Sequence, residues 1–139
     1  MIVNGTDEFV GSSESELKNA LKKSLNIKST ANFKSLTIEE NANRLNVNYT
    51  LDGEFADCKI NFALVSLTET TVVKRGENGG RTLTNENVVR QFISTTTNSN
   101  GTSTFSSLSI PSKNNLAVVA FVQRNSDLKI IGELEIILF

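Results

Sequence analysis

From residue 45 the chain reads Leu-Asn-Val-Asn-Tyr-Thr-Leu, an unbroken alternation of apolar side chains with amides and hydroxyls. Successive side chains on a strand point to opposite faces, so a period of two dictates a strand with one face buried and the other wet. The same period recurs along the chain. Leu36 and Ile38 share a face within residues 33–40, and Ile60, Phe62, Leu64 and Ser66 share one in the next segment. Phe105, Leu108 and Ile110 lead to Pro111, Leu116, Val118, Ala120 and Val122 alternate again, and residues 129–139 close the chain. Asp52-Gly53 and Asn125–Asp127 mark turns. About seven strands at regular spacing predict an antiparallel β-sandwich, in a mainly β chain that is α+β overall; an up-and-down barrel is the alternative. Asn, Ser and Thr make up a third of the residues, which suits strands with hydrated outer faces.

Residues 1–28 have a different character. Asn4-Gly5 between two short apolar stretches signals a hairpin with a two-residue turn. That register pairs Val3 with Thr6, Ile2 with Asp7 and Met1 with Glu8, and leaves Phe9 and Val10 without counterparts, so the hairpin reads as cut short unless a bulge rescues the pairing. Ser13-Glu14-Ser15-Glu16 is a capping box that opens a helix, with Lys22 and Lys23 suited to its far end. Leu17, Ala20, Leu21 and Leu25 form its apolar stripe, read as packing, and the helix should stop near 26–29. The expected organisation is therefore a hairpin and helix over 1–28, then a β-sandwich-like unit over 29–139.

Composition excludes several chemistries. There is no histidine, which removes Ser-His-Asp and Cys-His catalysis and histidine-ligated metals. Cys58 is the only cysteine, so there is no internal disulfide and no Cys-x-x-Cys pair. A net charge of −1, from 14 basic and 15 acidic residues, argues against a nucleic-acid footprint. No apolar run approaches a membrane span, and the opening MIVNGTDEF does not read as a secretion signal. No catalytic residue, cofactor or metal is expected.

One segment stands apart. Residues 74–90, KRGENGGRTLTNENVVR, read as a long polar loop rich in Gly and Arg, followed by a short helix over 85–93 capped by Thr84 or Asn85. Backbone N–H groups and guanidinium forks there suit an anion or a docking partner, with Arg75, Glu77, Asn78, Arg81, Asn87 and Arg90 as candidates. The glycine spacing fits neither a Walker loop nor a dinucleotide fingerprint. The plainer reading is an ion-pair network that fixes a long connection.

The stretch RGENGGRTLTNENVVR resembles a motif of an exported, thioredoxin-like bacterial family, domain of unknown function 1223. The opening MIVNGTDEFVGS is similar to that family's segment after the thioredoxin cis-proline, and AVVAFVQRNSDLKIIGELEI to its closing strands. The resemblance implies a thioredoxin-like domain followed by a β-rich one, with residues 1–27 as the last hairpin and helix of the former. The redox cysteine pair would lie upstream, so no dithiol activity transfers to this chain. It also implies an exported (periplasmic or extracellular) location, and a partner that is the missing thioredoxin-like half or a second copy joined through residues 1–10.

Remaining residues read as structural first. Cys58 is a half-buried thiol, with redox sensing as the alternative. Asp52, Glu54 and Asp57 surround a turn without the spacing of a calcium loop. Glu133 and Glu135 mark a solvent face rather than a pair of hydrolytic carboxylates. The tail Ile136-Ile137-Leu138-Phe139 is apolar on both faces and calls for a further layer or a second subunit. A non-catalytic module leads; an enzyme using Arg75, Glu77 and Arg81 on an anionic substrate is the alternative.

Overall fold

The structure is a computed structural model and describes residues 1–106 and 115–138. Two short strands, β1 (Ile2–Val3) and β2 (Asp7–Glu8), make a hairpin, and α1 (Glu14–Leu25) follows. Then come β3 (Ala31–Asn41), β4 (Arg44–Gly53), β5 (Cys58–Val72), β6 (Thr82–Thr96), β7 (Asn100–Phe105), β8 (Leu116–Arg124) and β9 (Ile130–Leu138). Seven of these strands form two antiparallel sheets, ordered β3-β4-β7 and β6-β5-β8-β9. The chain is mostly β and sandwich-like, as its alternation predicts. β4 pairs with β7 and β5 with β8, so connections cross between sheets and an up-and-down order is excluded.

The alternating residues build the core. Leu45, Val47, Tyr49 and Leu51 on β4 face Ile60, Phe62 and Leu64 on β5 and Val118, Ala120 and Val122 on β8, all buried. The Tyr49 and Phe62 rings meet between the sheets with centroids 5.5 Å apart. Tyr49 stands opposite Gly101 on β7, where its ring occupies the space a side chain would take. On the wet face of that sheet, Thr102 and Thr104 donate to Asn48 and Asn46 at 2.7 and 2.9 Å. Part of the Asn and Thr excess is thus a cross-strand ladder.

One side of the sandwich is closed by a seam. The Thr30 amide donates to the Ile131 carbonyl (3.1 Å), and the Ser29 hydroxyl reaches both the Ala31 and Ile131 carbonyls at 2.6 Å. Gly132 permits this approach, because a Cβ there would collide with the Ala31 carbonyl oxygen.

Three expectations are corrected. The hairpin turn has three residues, so Val3 pairs with Asp7 and Ile2 with Glu8, and Phe9 bonds to Met1 in both directions. Asn4 and Gly5 both take positive φ, as the expected turn requires, but Thr6 joins the loop as a third residue, and the Asn4 carbonyl accepts from the Ile130 amide. The helix starts after Ser13 as expected, yet Ser13 makes no side-chain cap; only its carbonyl serves, accepting from the Leu17 amide. Residues 85–93 are not helical. They lie within β6, paired along β5, because the ladder satisfies their backbone groups where a lone short helix would leave its ends open. Leu108, Ile110, Pro111 and Phe139 lie outside the described residues.

Phe62→Ala should cost about 3–5 kcal/mol of unfolding free energy, read by urea denaturation. Gly132→Ala should cost roughly 1–3 kcal/mol through the collision at the seam, whereas Gly11→Ala, where a Cβ meets open space, should stay within about 0.5 kcal/mol.

Candidate functional site

β5 pairs with β8 only over Cys58–Ser66, whereas its pairing with β6 continues to Val72. Beyond Ser66 the β5–β6 pair, here called the arm, continues to Val72 and Thr82 among the described residues, with the Asn115 side chain bonded to both backbone groups of Thr68 at 3.0 and 2.6 Å. Its tip is a compact turn. The Gly80 amide donates to the Val73 carbonyl and the Gly79 amide to Gly76, both at 2.8 Å, and the Val73 amide donates to Arg81. Gly76 and Gly80 have φ of +87° and +80°, a conformation that explains the glycines without a phosphate.

Arg75, Glu77, Asn78 and Arg81 stand exposed around this tip. Among the described residues, no ion pair or side-chain hydrogen bond joins them, so the structure neither gathers them into a network nor closes them around a cavity. Asn87 adopts φ +53° where the ladder opposite Leu67 is interrupted. Arg90 is the extra residue of a bulge between Val89 and Gln91, and its guanidinium pairs with Glu69 at 2.9 Å. The six residues are spread along β6 and the turn that precedes it.

Sequence reading missed a second place, the cleft between α1 and the seam. It has a volume of about 520 Å³. Leu21, Leu25 and Ile27 form one wall, and Phe33, Ile131 and Leu134 the other. Lys28, Lys129 and Glu133 also line it, while Arg124 is held by Asp127 in a bidentate pair at 2.9 and 2.8 Å. That pairing pulls the Asp127 carboxyl below the usual carboxylate range and raises the guanidinium further. The Ser24 hydroxyl, also lining the cleft, is buried without a partner among the described residues. The cleft therefore combines apolar walls with side chains of both charge signs. Half of the helix stripe, read as packing, instead overhangs this space.

The other candidates are accounted for locally. Asp52 pairs with Lys34 at 3.2 Å, which lowers its carboxyl, and Asp57 accepts from the Asn125 amide at 3.1 Å. No group of carboxylates and Cys58 positioned for a metal occurs among the described residues. Glu133 and Glu135 are exposed. Cys58 is buried more fully than expected, its thiol donating to the Ala56 carbonyl at 3.3 Å. Burial, then the Asp57 charge, pushes the thiol above its ordinary pKa. Iodoacetamide should therefore modify Cys58 at least about tenfold more slowly in the native than in the urea-unfolded chain at pH 8, as followed by mass spectrometry.

No curated protein matches the chain. Residues 1–123 match a family described as protein of unknown function DUF1223, a span that takes in the hairpin, α1, the arm and nearly all of β8. With that match over most of its length, the chain belongs to the DUF1223 family.

Proposed function

We propose that this chain is a non-catalytic docking module of an exported thioredoxin-like protein, with the hairpin and α1 as the surface on which the rest of a thioredoxin-like fold packs. The observation that carries the reading is an amphipathic unit with little covering its apolar side. Leu25 is 84% exposed, Val10 72% and Ile2 68%, while Ala20 alone of the helix is buried. A helix of this length owes its stability mainly to packing of its apolar face, so such exposure marks a face that takes a partner. The junction cleft extends the same surface towards the sandwich. The arm tip, with Arg75, Glu77, Asn78 and Arg81 and with Asn87 and Arg90 behind it, supplies a second contact.

The test is co-production of this chain with a polypeptide carrying the first half of a thioredoxin-like fold from the same family. A 1:1 complex by light scattering is expected, and Leu21→Asp with Leu25→Asp should weaken it by at least about a hundredfold. Arg75→Glu with Arg81→Glu should weaken it by a smaller, salt-sensitive factor. Absence of a complex, with both chains folded by circular dichroism, refutes the reading.

A further inference from the structure

We infer that the cleft between α1 and the seam binds a small amphiphile, a molecule with an anionic head and an apolar tail. Its volume of about 520 Å³ is that of a small-molecule site, and it lies at the junction of two structural units, where such sites concentrate. The tail has two walls to lie between. Leu21, Leu25 and Ile27 on one side are exposed, and Phe33, Ile131 and Leu134 on the other pack against the core while remaining partly open. A tail inserted there takes both walls out of water at once.

The two ends of the cleft differ in character. Along the seam Thr30 meets Ile131 and Ala31 meets Gly132, so the two segments run in the same direction. Lys28 and Lys129, each two residues before these contacts, therefore fall together at one end, and Phe33 and Leu134, each two beyond, at the other. Neither lysine makes an ion pair among the described residues, and the carboxylate beside Lys129, that of Asp127, is already held by Arg124. Glu133 sits at the apolar end and on the other face of β9, opposite Phe121, whereas Leu134 stands opposite the core residue Ala120. Its charge opposes an anionic head at that end, so the head is directed to the lysines.

The floor of the cleft selects a small molecule over an extended peptide. A peptide that adds to a strand relies on free main-chain donors and acceptors. Here the Thr30 amide donates to the Ile131 carbonyl and the Ile130 amide to that of Asn4, while the Thr30 and Lys129 carbonyls accept from the Glu54 and Arg124 amides. Polar recognition is thus left to two ammonium groups, which suit a compact anion at the end of an apolar chain. The walls and both lysines belong to this chain, so the site goes beyond the docking reading and does not depend on a thioredoxin-like half.

The test is an NMR titration of the isotope-labelled full chain with decanoate below its micellar concentration, with decyltrimethylammonium as the control of opposite charge. Decanoate should bind saturably, with a dissociation constant of about 100 µM or tighter, and shift amides within residues 21–33 and 129–134 but not those of 74–81. Decyltrimethylammonium should bind at least about tenfold more weakly. Lys28→Glu with Lys129→Glu, both outside the core, should weaken decanoate at least about tenfold and reverse that preference. Shifts that do not saturate, shifts centred elsewhere, or equal binding of the two compounds by the native chain overturn the proposal. So does a folded double variant that binds decanoate as the native chain does. The docking reading stands or falls separately, because its complex is read by light scattering without any amphiphile and is broken by Leu21→Asp with Leu25→Asp.

Discussion

The contact between β4 and β5 organises the molecule. These are the strands in which alternation is most regular, and they lie in different sheets, so their inward rows must meet across the sandwich. Tyr49 against Phe62 fixes the separation, and Phe105, Val118 and Val122 fill the space around them. Once this layer forms, the crossing connections are constrained too. Thr97 donates to the carbonyls of Phe55 and Cys58, both at 3.0 Å, tying the turn after β6 to the one before β5. The seam at Ser29, Thr30 and Gly132 then closes one side.

This core leaves apolar side chains uncovered on two sides. The hairpin and α1 hang on the closed side through a few backbone bonds, such as the Ile130 amide to Asn4. Their apolar residues thus overhang a cleft instead of filling it. On the opposite side of β5, a second apolar face carries the Phe92 and Phe121 rings, with Phe92 54% exposed.

The misreading of residues 85–93 is instructive. Val88-Val89 and Phe92-Ile93 recur at four residues, which is helical spacing, and Thr84 or Asn85 suits a cap. In the structure the bulge at Arg90 shifts the phase of the strand, so the second doublet falls out of step with a simple alternation. Beyond it β6 is exposed at every residue from Thr82 to Asn87, so that stretch of the strand carries no burial alternation. The hairpin register differs because Thr6 joins Asn4-Gly5 in the loop, and that loop is also bonded to Ile130, more than a hundred residues away.

By itself the sequence determined the fold class, the inward rows on β4, β5 and β8, the turns and the start of α1. Each of these depends on local geometry, on the period of a strand or the ends of a helix. Exclusion of histidine chemistry was equally local, being a matter of which residues exist. Only the tertiary structure decided which faces remain bare. Leu25 and Phe92 are as apolar as Leu45 and Phe62, and nothing in their neighbours along the chain distinguishes them. Whether an apolar side chain is covered depends on what the packing of distant strands brings over it, and that is a property of the assembled sheets.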